Sequence, residues 1–188
     1  MVRKGEVNRQ LIIDSANQLF YQKGYNQTSF SEIADAAGMP RGNFYYYFKS
    51  KDEILDAVIM DRIGRMRNRL TEWDKEYSTP LEKVHRFIDI LLNSEQDAMR
   101  YGCPMGSLSV ELSKTQLEQQ ARVKDMFDIF VEWLTRQFKA LGQAKQARTQ
   151  ALHLIARMQG TLLVANTYSD VSFLRQEAAQ LKKWVDTL

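Results

Sequence analysis

The chain has 188 residues, with 3 prolines, 9 glycines, 1 cysteine and a formal net charge of +3. A chain of this length can bury roughly 70% of its unfolded surface, which is enough for a substantial core. It has no apolar run near the ~18–20 residues that span a membrane and no apolar signal-peptide core. Its single cysteine excludes an intrachain disulfide and a cysteine-cluster metal site, which favours the reducing cytoplasm. Because the chain has no membrane-spanning run, we also expect no membrane partner.

The scarcity of proline and glycine predicts an all-α protein, because sheet folds need turn residues at close intervals. Helix starts are marked by capping boxes and by prolines suited to the first helical turn: Ser29–Glu32, Ser50–Glu53, Thr79–Glu82, Pro40, Pro80 and Pro104. Helix ends are marked by Gly24, Gly38 and Gly142. These signals predict nine helices, at about 7–23, 29–37, 40–47, 51–74, 80–97, 104–113, 116–141, 144–168 and 171–187.

The second and third predicted helices are short and are separated by a glycine turn at Gly38, which is the layout of a helix-turn-helix. In that motif the second helix enters the DNA major groove. Phe44 and Phe48 lie four residues apart, so they share a face and can pack inward. Arg41 can then bind guanine and Asn43 can bind adenine.

The same helix offers further DNA contacts. Gly42 lets the backbone approach DNA closely, and the hydroxyls of Tyr45, Tyr46 and Tyr47 can reach phosphates. Lys51, at the start of the fourth helix, also suits a phosphate.

Positive charge is concentrated in the same part of the chain. Residues 1–51 carry seven Lys or Arg and four Asp or Glu, so they account for the entire net charge of +3. The remaining residues are neutral in sum. This distribution favours a DNA-binding function for the N-terminal segment.

Residues 24–55 closely resemble the DNA-binding domain of the TetR family of bacterial repressors. The resemblance is carried by GY at 24–25, TSFSEIA at 28–34, AG at 37–38 and GNFYYYFKSKDEIL at 42–55. It implies an all-α homodimer with a nine-helix plan, a DNA-binding domain over residues 1–50 and a ligand-binding and dimerisation domain over 51–188. Pro40 stands where the family often has a small hydroxyl residue, and Tyr47 where histidine is common.

The resemblance implies the following DNA-contacting residues: Thr28, Ser29, Ser31, Arg41, Gly42, Asn43, Tyr45, Tyr46, Tyr47 and Lys51. It also implies a small-molecule inducer pocket enclosed by the fifth to eighth helices. Large, adaptable apolar side chains suit such a pocket, although the same residues suit an ordinary core. The candidate lining residues are Ile63, Met66, Phe87, Leu91, Cys103, Met105, Met126, Phe130, Met158 and Leu162.

Cys103 has two interpretations. It lies at a predicted helix N-terminus, where the helix dipole favours the reactive thiolate. The surrounding sequence resembles TetR-type regulators that sense electrophiles through a cysteine in this region, which implies a thiol sensor. The alternative is a small buried apolar residue, since unpaired cysteine is often buried.

The last two predicted helices are the candidate dimer interface. Gly160 and Thr161 allow close helix approach, and apolar area comes from Leu152, Ile155, Leu162, Val164, Tyr168, Leu181 and Trp184. Two-fold symmetry then predicts a pseudopalindromic DNA operator.

No enzyme, metal site or cofactor is predicted. His85 and His153 have no ligand partners at metal-binding spacing, and the chain has no recognisable nucleophile triad, carboxylate pair or Gly-rich phosphate loop. The sequence therefore indicates a transcriptional repressor released by a small-molecule or electrophile inducer. The alternatives are an activator, or a helical small-molecule binding or enzymatic domain whose helix-turn-helix is vestigial.

Overall fold

The structure is a computed structural model that describes residues 4–93, 95–115 and 117–188, with the side chains of 4, 41, 114, 115 and 117–120 outside the description. Its helices are α1 (Lys4–Lys23), α2 (Phe30–Ala36), α3 (Arg41–Tyr47), α4 (Lys51–Glu76), α5 (Pro80–Ile88), α6 (Ile90–Asn93), α7 (Glu95–Tyr101), α8 (Pro104–Thr115), α9 (Leu117–Ala140), α10 (Ala147–Tyr168) and α11 (Val171–Asp186). None of these helices is long and apolar enough to cross a membrane.

The all-α prediction is confirmed. The principal difference concerns the predicted helix over 80–97, which is interrupted between α5 and α6. The interruption falls at Asp89, where the amide still donates to His85 O at 3.0 Å. This interruption involves neither proline nor glycine, so the sequence carries no local signal for it.

The chain folds into two compact units. The first comprises residues 1–64 and 107–126, and the second comprises 65–106 and 127–188. Helices α4, α8 and α9 each contribute residues to both units. The predicted functional boundary at residue 50 falls inside the first unit, directly before α4.

The core of the first unit is built on apolar side chains along one side of α1. Ile12, Ala16 and Phe20 are buried, and the Phe20 ring meets the Tyr25 ring edge-on at 5.2 Å. Other helices of this unit add the buried residues Ile33, Ala34, Phe44, Phe48, Ile54, Leu55, Val58, Ile59, Leu112 and Val123.

The core of the second unit is strongly aromatic. Trp133 lies 6.2 Å from Trp73 and stacks on Phe87 at 6.1 Å, and Phe87 meets Phe130 edge-on at 5.1 Å. The indole N–H of Trp133 donates to Asp74 Oδ2 at 3.1 Å, so this buried polar group is satisfied. Offset and edge-on aromatic pairs of this kind add packing energy beyond their burial.

Helix α7 is tied to the C-terminal helices of the same unit. Asn166 on α10 donates to the Ala98 and Met99 carbonyls at 3.2 and 2.7 Å. Arg175 on α11 makes a two-pronged ion pair with Glu95, at 2.9 and 2.8 Å. The hydrogen bond from Arg175 lowers the pKa of Glu95, and its reciprocal contact raises the pKa of Arg175.

Candidate nucleic-acid interface

The turn between α2 and α3 is fixed by a glycine. Gly38 has a φ of +63°, a conformation that L side chains rarely adopt. Its amide donates to Asp35 O at 3.0 Å, and the Met39 amide donates to Ala34 O at 3.1 Å. These two bonds form a Schellman motif, which ends α2 and directs the chain into α3.

The start of α2 carries the predicted capping box. The Ser29 hydroxyl accepts from Glu32 N at 3.1 Å, and Glu32 Oε2 accepts from Ser29 N at 2.8 Å. Lys23 Nζ donates to Glu32 Oε1 at 2.7 Å. The hydrogen bond from Lys23, followed by those from Ser29, lowers the pKa of Glu32 from 4.5 to about 2. Ser29 is exposed beside this network, whereas Ser31 is half-buried.

The inner face of α3 is held by aromatic packing. Phe44 and Phe48 are buried as predicted, and Phe30 of α2 meets the Phe44 ring edge-on at 4.7 Å. The Arg9 guanidinium lies 4.9 Å from the centre of the Phe48 ring. The sequence predicts Pro40 as the first residue of this helix, but it is the N-cap residue of α3, one position earlier, and has no side-chain cap hydrogen bond.

The outer face of α3 is open. Gly42 and Asn43 are exposed, Tyr45 is 51% exposed and Tyr46 is 78% exposed. The chain has no Asp or Glu between residues 36 and 51, so α3 and its flanks carry no carboxylate that would repel a phosphate. The predicted DNA contact of Arg41 involves a side chain outside the described residues.

Tyr47 faces differently from its neighbours. It is half-buried, and its hydroxyl accepts a hydrogen bond from Asn8 Nδ2 of α1 at 3.1 Å. Its ring meets the Tyr46 ring edge-on at 5.2 Å. Tyr47 therefore joins α3 to α1 in addition to its predicted role at DNA.

Two predicted DNA residues support the loop between α1 and α2. Lys51 Nζ donates to the Tyr25 and Thr28 carbonyls, each at 2.9 Å, and lies 4.2 Å from the centre of the Tyr25 ring. Two of the three N–H groups of Lys51 are thus used inside the fold. Thr28 is only 1% exposed and donates its hydroxyl to Gly24 O at 2.7 Å. The Thr28 side chain is therefore too buried for the predicted DNA contact. It holds the loop internally through its hydrogen bond to Gly24.

The same loop is held by a residue for which the sequence predicts no role. Glu111 of α8 accepts from Tyr25 N at 2.8 Å through Oε2 and from Asn26 N at 2.6 Å through Oε1. Gly24, at φ +88°, lets the loop approach so closely that an added Cβ would lie 3.1 Å from both carboxylate oxygens. Glu111 and Tyr25 are 86 residues apart, so no local sequence pattern could have found this contact.

The predicted inducer-pocket residues divide between the two units. Ile63 and Met126 belong to the first unit, and both are buried. In the second unit, the buried members are Phe87, Leu91, Met105, Phe130 and Met158, and the half-buried members are Met66, Cys103 and Leu162. The second unit also contains a groove of about 240 Å³ lined by other residues: Arg67, Leu70, Thr71, Asp74, Ile129, Glu132, Trp133 and Arg136. The predicted pocket stays a prediction.

Cys103 is the N-cap residue of α8. Its sulfur lies 3.4 Å from the amide of Gly106, which donates to it, and 3.4 Å from Gln159 Nε2, a second donor. Gly106 has no side chain to obstruct this contact, since a Cβ there would lie 2.5 Å from Gln159 Oε1. Cys103 is thus half-buried, so it is partly accessible to solvent, and its sulfur accepts two hydrogen bonds.

The candidate dimer face on α10 is exposed and apolar. Leu163 is 67% exposed, and the other exposed large apolar residues of this helix are Leu152, Val164 and Tyr168. Gly160 has no atom within 4 Å of an added Cβ, so another helix could approach it closely. Thr161 and Leu181 are instead buried within their own unit, which removes them from the predicted interface.

Comparison with known proteins gives two family matches along the chain. Residues 12–58 match the profile described as bacterial regulatory proteins, tetR family. Residues 80–180 match the profile of the C-terminal domain of LmrA/YxaF-like transcriptional regulators.

Individual proteins are similar over most of the chain. An HTH-type transcriptional regulator in the lacX 3′ region of Lactococcus lactis subsp. lactis is 30% identical over 181 residues, covering 93% of this chain and 91% of the relative. The HTH-type transcriptional repressor DhaR of Mycobacterium sp. strain GP1 is 23% identical, covering 84% and 77%. The crystal structure of reduced NemR from E. coli is 22% identical and has a TM-score of 0.81, covering 94% and 96%.

The capping network of α2 predicts a loss of stability in acid. Because the folded-state pKa of Glu32 is lowered from 4.5 to about 2, its contribution is complete above about pH 4.5 and is lost as the pH falls from there towards 2. Urea unfolding of Glu32→Gln and Lys23→Met across this range is expected to show a shallower pH dependence than the wild type. An unchanged pH dependence in both variants would contradict this assignment.

Proposed function

This chain belongs to the TetR family of bacterial regulatory proteins and is a helix-turn-helix transcriptional regulator, and we propose that it acts as a homodimeric repressor. In this proposal, α3 of each subunit binds one half of a pseudopalindromic operator. A small-molecule or electrophile inducer acting on the C-terminal part then releases the protein from DNA.

The observation that carries this proposal is the two-sided character of α3. On the inner side, Phe44 and the C-cap residue Phe48 are buried, while Asn43, Tyr45 and Tyr46 are exposed. An anchored helix holds its outward side chains at fixed positions, as base and phosphate recognition requires. Asparagine suits the edge of adenine, and tyrosine hydroxyls suit phosphates.

The remaining predicted contacts surround this face. Gly42 allows close backbone approach, Ser29 lies at the exposed N-terminus of α2, and Lys51 keeps one N–H for a phosphate. Ser31 and Tyr47 are half-buried and would contact DNA at the margin. Thr28 is not among the proposed DNA contacts, because its side chain is buried.

The apolar face of α10 supports the homodimer. Several exposed large apolar side chains on one helix are unusual on a monomer. An isologous interface would cover them with the same residues of a second copy. Two recognition helices related by a two-fold axis then lie about one DNA turn apart. The name of the Mycobacterium relative, a repressor, favours repression over activation.

The position of Cys103 supports an electrophile as one class of inducer. Cys103 is half-buried and is the single cysteine of the chain, and donors from Gly106 and Gln159 converge on its sulfur. Alkylation would add bulk where Gln159 now lies. A small-molecule ligand in the predicted pocket is the other class of inducer.

We expect the protein to bind its own upstream DNA in a sequence-preferring and salt-sensitive manner. Asn43→Ala should weaken specific binding by about tenfold or more, because a base contact is lost. Gln18→Ala removes a side-chain amide at an exposed position on α1, so it is the matched control and should bind like the wild type. Fluorescence anisotropy with specific and scrambled duplexes measures both. The absence of sequence preference in the wild type would instead favour a vestigial helix-turn-helix.

Leu163→Glu should dissociate the dimer, because it would bury two unpaired carboxylates at a symmetric interface. Met60→Glu places the same charge at a similarly exposed apolar residue on α4, at 63% against 67%, and should leave the dimer intact. Sedimentation velocity at micromolar concentration distinguishes the two species. A wild-type monomer, or a dimeric Leu163→Glu variant, would contradict the assignment of this face.

Treatment with N-ethylmaleimide should release the wild-type protein from its operator. The sulfur of Cys103 would bond to one alkene carbon of the reagent, and a proton would add to the other. Cys103→Ser has no thiol and should stay bound under the same treatment. Equal release of both proteins, or no release of either, would rule out the thiol as a sensor.

A further inference from the structure

The contact between Glu111 and the α1–α2 loop is more specific than a surface salt bridge. One carboxylate accepts hydrogen bonds from two successive backbone amides, at 2.8 Å for Tyr25 and 2.6 Å for Asn26. Hydrogen bonds to an ionised acceptor are shorter and stronger than neutral ones. Gly24 gives the carboxylate the space to reach both amides.

The loop held by Glu111 leads directly into the DNA-binding motif. It is followed by Ser29, which caps α2, and by Phe30, whose ring packs on Phe44 at 4.7 Å and on Tyr45 at 5.1 Å. On its carbonyl side the loop is held by Lys51. Glu111 therefore holds two backbone amides of this loop, and the placement of α2 and α3 depends on the loop.

We propose that Glu111 is a positioning residue for DNA binding: its carboxylate holds the α1–α2 loop, and with it α2 and α3, in the placement that binds DNA. This inference rests on the proposed function and names a contact that positions the DNA-binding motif. Glu111 itself touches no DNA in this scheme.

The geometry makes the contact sensitive to small movements. Hydrogen bonds weaken beyond about 3.2 Å, and one residue of helix rise is about 1.5 Å. A slide of α8 by one residue would therefore break the contact. The Tyr25 residue is buried, so losing the acceptor would leave its amide without this partner at a cost in free energy.

Glu111→Gln is the central variant, because it keeps the size of the side chain and removes one acceptor oxygen and the charge. We expect amide exchange at Tyr25 and Asn26 to become roughly tenfold faster or more, and DNA binding to weaken by a similar factor. Glu111→Ala should show a larger effect in both measurements. Hydrogen exchange and operator anisotropy are measured on the full-length protein.

The direction of the change in DNA affinity distinguishes this inference from a simple effect of charge. Removing a negative charge close to DNA should by itself strengthen binding. Asp35→Asn makes the same charge change at an exposed position of α2 and is the matched control, with equal or tighter binding expected. Weaker binding of Glu111→Gln alone therefore indicates a loss of positioning.

The outcomes distinguish this inference from the proposed function. If the wild type binds its operator and Glu111→Gln binds equally well, the inference is wrong and the proposed function stands. Faster loop exchange with unchanged DNA affinity has the same meaning. If the wild type shows no operator binding, the proposed function itself fails, and the role of Glu111 in DNA binding fails with it.

Discussion

The burial of Phe44 and Phe48 is the interaction on which the DNA-binding surface depends. Helix α3 has seven residues, and isolated helices shorter than about 12–15 residues are marginal in water. Its conformation must therefore come from packing. Phe30 of α2 and the Arg9 side chain of α1 supply that packing, and the exposed side chains on the opposite face are held in place as a consequence.

The polar contacts around this packed centre define how α2 and α3 are presented. The Gly38 turn sets the path between them, and Ser29 and Glu32 complete the N-terminus of α2. Lys51 and Glu111 then hold the preceding loop by its carbonyls and its amides respectively. Charged side chains thus pair with four backbone groups of the loop, which favours an ordered loop.

The second unit shows how difficult it is to distinguish a pocket from a core by composition. Phe87 and Phe130, chosen as pocket residues, are buried in an aromatic cluster with Trp133. Large apolar side chains at helical spacing satisfy both interpretations, because the same chemistry lines a hydrophobic pocket and fills an interior. Whether the aromatic cluster can open for an inducer depends on how its side chains pack, which the residue types alone do not specify.

The sequence by itself determined the features that arise within a few residues. Capping boxes, prolines at helix starts and glycines at helix ends placed the helices, and the motif over 24–55 identified the helix-turn-helix and its family. Only the tertiary structure decided that Thr28 is buried and that Glu111 holds a loop 86 residues away. The physical reason is range: caps and turns form between neighbours along the chain, whereas burial and long-range hydrogen bonds exist only after distant segments have packed together.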